Sequence, residues 1–299
     1  MTKNRLFPLR QRALTLSAVI LVMILTAGLF SIGGCTMSDN SSWLTIHLID
    51  VGQGDSQLII TPQGSTILID AGDLLQGDVV AAYLTRQGVR SIDHFILTHP
   101  HSDHIGGVPT ILEQFQVSQV YLPPVVHTSQ LYERILNHLM THQVPTNIIR
   151  ETSSILVEDG LEVKILSSGR DFLDHLNNWS LVTHIAHQSQ RFLFMGDAEA
   201  EAEEALMSNL HPSALRANVL KAGHHGSSTS SSDLFLDMVL PEIVLISCGE
   251  NNPYFHPHPA LLQRLEERNA WIYRTDLQGS IVLQSDGTRV VSHQQPFNH

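Results

Sequence analysis

The segment His99-Pro100-His101-Ser102-Asp103-His104 places three imidazoles and one carboxylate within six residues. In an extended loop, side chains two residues apart point to the same side, so His99 and His101 can bind one metal ion while Asp103 and His104 turn toward a second. The alternative is a solvated loop in a chain that contains 18 histidines. Because no purely structural demand favours this spacing at the end of an apolar run, the segment predicts a two-metal hydrolytic site.

Two further polar clusters also follow apolar runs. Asp197 comes directly after Phe194-Met195-Gly196, and the pair His224-His225 is bounded by glycines. A carboxylate in the first position can bridge two cations, or it can cap the helix expected to follow from Ala198. The histidine pair predicts one further metal ligand, with a hydrogen-bonded turn histidine as the alternative.

The elements that must position these clusters alternate between strand-like and helix-like patterns from residue 43 onward, with no long linker or repeat. This pattern predicts one α/β domain over residues 43–299 in which helices cover the sheets. The predicted strands are 44–49, 57–61, 66–69, 94–97, 117–122, 191–195, 219–220 and 243–247, and the predicted helices are 77–87, 107–115, 129–142, 198–208 and 259–268. Strand ends at one edge of layered sheets converge, so the separated clusters can meet there.

The first 42 residues carry a targeting pattern. Basic residues between Lys3 and Arg12 precede an uncharged run from Ala13 to Phe30, and small residues lead to Cys35. Residues 1–34 therefore predict a signal peptide or a signal anchor, and residues 35–42 predict a polar tether. In the first case Cys35 would be lipidated, and in the second an N-terminal helix would anchor the chain in the membrane. Both interpretations place the remaining chain outside the cytoplasm.

The chain is acidic, with a formal net charge of −12 at pH 7. It therefore lacks the broad basic surface expected of a nonspecific nucleic-acid binder. This counts against a DNA substrate without excluding it, because metal ions and local basic residues can neutralise phosphates at the site.

Motifs spread from Ile46 to Gly287 resemble the metallo-β-lactamase superfamily and, more narrowly, the soluble domain of the ComEC competence family and its free-standing relatives. Besides the histidine cluster, the segments that carry the resemblance are Asp50-Val51-Gly52-Gln53-Gly54-Asp55-Ser56, Leu68-Ile69-Asp70-Ala71-Gly72, Asn177-Asn178-Trp179-Ser180-Leu181-Val182, Phe194-Met195-Gly196-Asp197, Leu220-Lys221-Ala222-Gly223-His224-His225-Gly226-Ser227, Asn252-Pro253-Tyr254-Phe255-His256-Pro257 and Arg274-Thr275-Asp276-Leu277-Gln278-Gly279. The resemblance implies an αββα four-layer sandwich with a dinuclear metal site at the edge between its two sheets.

The resemblance also implies a ligand set. One metal ion would take His99, His101 and Asp197, and the other would take Asp103, His104, Asp197 and His225. His224 would then lie behind the ligands or face the substrate. Asp70 would hold a ligand imidazole by a hydrogen bond, with a simple turn-forming role as the alternative.

One departure from lactamases concerns the first metal ion. Their additional histidine ligand corresponds here to the region around Asn178 and Ser180, as in ComEC-like proteins. Water, substrate or one of these two side chains would complete that site, and His184 or His187 is a less favoured substitute. Oxygen-rich ligation would shift the preference from Zn toward Mn or Fe.

Two further residues are candidates for substrate contact in the reaction. His256 would contact a substrate phosphate or act as a general acid, and its alternative is to cap the helix that follows Pro259. Its neighbour Phe255 stands where relatives usually have Gly. Lys221 would reach a phosphate oxygen or, alternatively, be a surface charge.

Together these features predict a membrane-tethered, metal-dependent hydrolase that cleaves phosphodiesters, with Asp103, Lys221, His224 and His256 beside the reacting bond. By resemblance, DNA is the first substrate to test, and a DNA-uptake membrane protein is the expected partner. Phosphorylcholine esters are the alternative substrate, and lactams rank third because the additional histidine is missing. A metal-stabilised binding module without catalysis is the alternative from a different class.

Overall fold

The structure is a computed structural model that describes residues 43–173 and 175–298. The targeting segment, Cys35 and the tether predicted for residues 1–42 lie outside the described residues. Among the described residues, no helix has the length and apolar character needed to cross a membrane.

The described residues form fifteen strands and eight α-helices. The strands are β1 (Leu44–Leu48), β2 (Gln57–Ile60), β3 (Thr66–Ile69), β4 (Ser91–Ile96), β5 (Gln116–Leu122), β6 (Thr146–Ile148), β7 (Ser153–Glu158), β8 (Leu161–Leu166), β9 (Val182–His187), β10 (Gln190–Phe194), β11 (Val219–Lys221), β12 (Ile243–Ile246), β13 (Trp271–Arg274), β14 (Ile281–Ser285) and β15 (Val290–Ser292). The helices are α1 (Gly77–Arg86), α2 (Ser102–Ile105), α3 (Val108–Gln114), α4 (Gln130–Thr141), α5 (Ala200–Asn209), α6 (Asp233–Val239), α7 (Pro259–Glu267) and α8 (Thr275–Gln278).

These strands build two sheets. The first has the order β15-β14-β1-β2-β3-β4-β5-β6, and the second has the order β13-β12-β11-β10-β9-β8-β7. One apolar cluster joins the facing sides of the sheets, with Ile46 and Ile69 from the first and Phe192 and Leu245 from the second. Both sheets are therefore covered on their inner faces by each other.

The outer faces are covered by helices. One cluster packs α1, α3 and α4 on the first sheet through residues such as Val80, Ile111 and Ile135. Another packs α5, α6 and α7 on the second sheet, with Leu206 and Leu261 among its members. The layer order is thus helix, sheet, sheet, helix, which confirms the predicted αββα four-layer sandwich.

Parallel strand pairs decide where the polar clusters lie. In the first sheet β3 and β4 run parallel, with Ile69 opposite Ile96, so Asp70 and the segment from Thr98 leave the same edge. In the second sheet β10 and β11 run parallel, with Phe194 opposite Lys221. Because the carboxyl ends of parallel strands share one edge, Asp70 and Thr98 leave the first sheet together, and Asp197 and the segment from Ala222 leave the second sheet together.

Candidate metal centre

The histidine cluster is carried by a loop that turns into the short helix α2. His101 is extended and precedes this helix, whereas His104 lies inside it and is buried. Gly106 and Gly107 have ordinary helical torsions, so close contact with neighbouring backbone, and not a positive φ, accounts for these glycines. A Cβ on Gly106 would collide with the backbone of Asp73 and Leu74. The paired glycines therefore let the loop pack directly on the segment that follows Asp70.

The structure brings the six residues predicted as metal ligands into one group. Asp197 stands at the centre, with Oδ1 3.2 Å from His104 Nε2 and Oδ2 3.4 Å from His225 Nε2 and 4.0 Å from His99 Nε2. Around it, His99 Nε2 is 3.0 Å from His101 Nδ1, and His225 Nε2 is 3.1 Å from Asp103 Oδ2. These donor atoms are close enough together for metal ions to be shared among them.

Three of these imidazoles are oriented by separate partners behind them. His104 Nδ1 lies 2.7 Å from Asp70 Oδ2, and His225 Nδ1 donates to the carbonyl oxygen of Ser247 at 3.0 Å. His99 Nδ1 is 3.3 Å from Ser180 Oγ. Since a proton held on Nδ1 leaves the lone pair on Nε2, each ring presents a ligand atom toward Asp197.

The charges in this group fit metal ions. Burial alone would lower the pKa of His104 and of His225, but Asp197 and its neighbouring carboxylates hold both pKa values well above the usual range. In turn, burial would raise the pKa of Asp197, but the two imidazoles hold it well below its usual range. Divalent ions can supply the positive charge that protons on these rings otherwise supply.

A second observation supports the fit. His104 Nε2 and Asp197 Oδ1 are both buried, and although they are close they are not aligned for a hydrogen bond. Buried polar atoms normally have partners, so this pair is typical of atoms that a metal ion would join. The mixture of imidazole and carboxylate donors suits Zn, Mn or Fe.

Asp55 lies beside the centre, although sequence reasoning gave it no role of its own there. It offers a carboxylate oxygen within 4.8 Å of ligand atoms from His104, Asp197 and His225. However, it approaches His225 at Nδ1, at 3.5 Å, which is the ring nitrogen turned away from the other ligands. Its other oxygen is ion-paired with Lys221. Asp55 therefore lies behind His225 and balances the charge of the buried Lys221. The sequence feature that could have pointed to Asp55 is the Asp50–Ser56 motif.

The structure does not fit either role predicted for Lys221. Its side chain is 0% exposed, paired with Asp55, and donates to the carbonyl oxygen of Gly196 at 3.0 Å. The surface-charge alternative is wrong because the ammonium is enclosed. The proposed phosphate contact does not fit either, since the ammonium would have to leave its buried carboxylate to reach a substrate.

Asp197 does not cap the following helix, so the capping alternative is wrong. Helix α5 begins at Ala200, and Glu199 occupies the position before it. The Asp197 carboxylate instead faces the imidazoles, while its own backbone N–H donates to Ser180 Oγ at 3.0 Å.

Asn178 and Ser180 lie behind the ligands rather than among them. Asn178 Oδ1 accepts a hydrogen bond from the Glu199 N–H at 3.0 Å, and Ser180 contacts His99 at Nδ1. Neither side chain is placed to complete the first metal site. His184 and His187 do not replace the missing ligand, because they lie further along β9, where His184 pairs with Leu193 and His187 contacts Ser285.

An open cavity of about 310 Å³ gives access to the centre. It is lined by Gln53, His101, Ser102, Asp103, Asn177, Asp197, His224, His225, Tyr254 and His256.

His224 is oriented toward this cavity by a carboxylate behind it. Its Nδ1 is held 2.9 Å from Glu199 Oε1, so its Nε2 faces the cavity, 3.9 Å from Asp197 Oδ2. Asn177 lies opposite, with Nδ2 3.5 Å from His224 Nε2. Sequence reasoning missed two residues of this cavity. No sequence pattern indicated Glu199, whereas Asn177 stands in the Asn177–Val182 motif.

His256 lines the same cavity. Its ring stacks near His225 with centroids 6.4 Å apart, and burial, followed by the two neighbouring histidines, lowers its pKa to about 4. The capping alternative is wrong, because His258 caps α7 by accepting the Ala260 N–H. Phe255 has a left-handed φ of 58° and an exposed side chain, so the residue before His256 occupies a conformation that Gly adopts more easily.

A family model described as the metallo-beta-lactamase superfamily matches residues 49–250, which include every predicted ligand. This chain belongs to the metallo-β-lactamase superfamily. The membership confirms a metal-dependent hydrolase of this superfamily, as predicted. Among solved structures, the diiron β-hydroxylase CmlA of Streptomyces venezuelae superposes with a TM-score of 0.52 at 14% identity, over 83% of this chain and 54% of that chain, which supports the fold alone.

Curated relatives of this superfamily member include competence proteins. The chain is 32% identical over 253 residues to ComE operon protein 3 of Bacillus subtilis, covering 79% of this chain and 32% of the relative. It is 30% identical over 261 residues to competence protein ComA of Neisseria gonorrhoeae, covering 87% and 34%. These matches confirm the resemblance to the ComEC-like competence family. The chain spans about a third of the length of these relatives.

Proposed function

We propose that this protein is an extracytoplasmic phosphodiesterase that uses two divalent metal ions and cleaves DNA. The observation that carries the proposal is the buried group around Asp197, in which His99, His104 and His225 all present Nε2 toward one carboxylate. The named competence relatives supply the reason to test DNA before other diesters.

The residues of the centre would hold the metal ions or orient the side chains that hold them. When bound, the metal ions would lower the pKa of a water molecule and offset the negative charge that develops on phosphorus-bound oxygens. His99, His101 and Asp197 would hold one ion, and Asp103, His104, Asp197 and His225 would hold the other. Asp70 keeps His104 in the orientation that presents Nε2.

The cavity wall supplies groups for the substrate. His224 Nε2 faces the cavity because Glu199 holds Nδ1, so it can donate a hydrogen bond to an anionic oxygen when protonated. His256 lies across from it, at a ring distance of 5.5 Å, and is the candidate that assists the leaving oxygen. Lys221 has no part in substrate contact in this proposal.

The location and partner belong to the proposal as well. The basic-then-apolar N-terminus and Cys35 support a lipidated or helical membrane tether in residues 1–42, with the hydrolase domain in residues 43–299 outside the cytoplasm. A DNA-uptake membrane protein is the partner that such a placement favours.

The test uses the full chain in detergent, with its metal content measured. Turnover is assayed with Mn or Zn on single- and double-stranded DNA, bis-p-nitrophenyl phosphate, phosphorylcholine esters and nitrocefin. We expect DNA and the small diester to be cleaved, and His101→Ala to lower turnover by about 100-fold or more, while the exposed His142→Ala serves as the control. Protein that holds two metal ions yet cleaves none of the substrates would refute the enzyme. Cleavage of phosphorylcholine esters alone would favour the second candidate, which the acidic chain makes reasonable.

A further inference from the structure

A second cavity lies beside the metal centre, on the other side of the turn Leu176–Trp179. Asn177 in this turn lines the cavity over the metal centre, whereas Asn178 and Trp179 line the second cavity. Ser180 also lines the second cavity, and its hydroxyl contacts His99. A substrate chain that leaves the metal centre over this turn would therefore enter the second cavity.

Two cationic side chains, Arg150 and Arg170, line this cavity. Arg150 is exposed at its rim, and its guanidinium has no ion pair or hydrogen bond with any described residue. Arg170 also lines it and is paired with Glu201 at 2.8 Å. One carboxylate, that of Asp171, faces the same space and accepts the Leu173 N–H. Arg150 is thus an unpaired cation next to the site of an acidic protein.

The cavity also has an aromatic wall. Trp179 is partly buried, with Nε1 donating to the carbonyl oxygen of Leu173 at 3.2 Å. Its ring meets Phe172 edge to face, with centroids 5.9 Å apart and planes at 88°. The indole is therefore fixed from two sides while it still lines the cavity.

An aromatic ring and an unpaired arginine suit a nucleotide, because the base can stack on the ring and the phosphate can pair with the guanidinium. The volume is about 250 Å³, which suits one nucleotide and not a duplex. We propose that this cavity binds the nucleotide next to the scissile phosphodiester of a single-stranded substrate, with its base against Trp179 and its phosphate on Arg150. This inference rests on the proposed phosphodiesterase function.

The test compares two substrates in the metal-loaded full chain. Bis-p-nitrophenyl phosphate has no neighbouring nucleotide, whereas oligothymidylate does. We expect Arg150→Ala to raise KM for oligothymidylate about tenfold, equivalent to about 1.4 kcal/mol, and to leave turnover of the small diester unchanged. The slope of log KM against log salt concentration should fall by about 0.7, as one lost phosphate contact on a single strand predicts. Arg134→Ala, which removes an exposed arginine on α4, is the matched control.

The aromatic contact is tested in the same way. Trp179→Leu should weaken binding of labelled oligothymidylate, measured by fluorescence anisotropy, by about tenfold, and Trp179→Phe should restore most of it. If Trp179→Leu fails to fold, the measurements on Arg150→Ala still test the proposed nucleotide site, because Arg150 is exposed and its replacement leaves the fold intact.

The outcomes separate the two proposals. Oligothymidylate cleavage with KM, anisotropy and salt slope unaffected by Arg150→Ala would overturn the nucleotide subsite and leave the phosphodiesterase standing. Oligothymidylate binding that depends on Arg150, without cleavage of any diester, would overturn the phosphodiesterase and keep only nucleotide binding in this cavity. Absence of both binding and cleavage would overturn both.

Discussion

Replacement of Lys221 by Met tests whether this residue serves the substrate or the fold. Lys221→Met keeps the length of the side chain and removes its charge. The variant leaves Asp55 buried without its cation and leaves the Gly196 carbonyl oxygen without its donor. A substrate contact and a buried ion pair predict different losses, so the variant decides between them.

The expected loss of stability follows from the burial of the pair. Both side chains are 0% exposed, and removal of one partner of a buried pair costs about 3 to 5 kcal/mol. His225 Nδ1 lies 3.5 Å from Asp55 and offers partial compensation, so we expect the lower part of this range. The double variant Asp55→Asn/Lys221→Met removes both charges and should be more stable than the sum of the single losses by about 2 kcal/mol.

Urea denaturation of the full chain in EDTA measures these free energies of unfolding. Lys164→Met is the matched control, because Lys164 forms an exposed pair with Glu162 at 2.9 Å and should lose about 0.5 kcal/mol or less. A Lys221→Met protein that is as stable as wild type but has lost turnover would refute our reasoning and restore the phosphate contact.

Three further predictions concern other parts of the molecule. Asp70→Asn, which weakens the contact that orients His104, should lower metal affinity about 10- to 100-fold, and competition with a chelator measures it; unchanged affinity would contradict that role. Burial lowers the pKa of His47 from its ordinary 6.5 to about 4, so its contribution to stability is present above pH 6.5 and is lost as the pH falls toward 4. Between pH 7 and pH 5 wild type should therefore lose about 2 kcal/mol more than His47→Gln in urea denaturation, and equal losses would exclude this cause. Phe255→Gly should be more stable than Phe255→Ala by about 1 kcal/mol in the same measurement, because only Gly adopts its left-handed φ of 58° without strain; the reverse order would contradict this.

Much of the fold could be predicted from the sequence because many of its strands are buried between the facing sheet and the covering helices, and such strands are apolar in sequence. Strands β3 and β12 are buried throughout and read as short apolar runs between polar segments, so their positions were clear. Helices α1 and α4 showed helical periodicity and were predicted within a residue of their ends. The strands β6, β7 and β15 were missed, since none of them contains a fully buried residue and their exposed or partly exposed residues give no apolar run. The strands β8, β9, β13 and β14 were also missed, although each of them contains buried residues.

The predicted ligands between His99 and His104 needed no tertiary information, since they are local in sequence and their spacing alone indicates metal binding. Asp197 and His225 stand in separate motifs, and the resemblance joined them to this cluster. What surrounds them could not be predicted in this way. Whether Lys221 meets a substrate or Asp55 depends on a contact across 166 residues, and whether His224 faces the cavity depends on Glu199, 25 residues earlier.

The sequence by itself determined the candidate ligand residues, because these follow from residue types at fixed local spacing, and its motifs implied the family and the layer order by resemblance. Only the tertiary structure decided which nitrogen of each imidazole faces inward, that Lys221 is enclosed, and that Arg150 and Trp179 share a cavity beside the metal centre. The physical reason is that ring orientation and charge pairing depend on neighbours from distant strand ends, and their distances are set only when the two sheets pack.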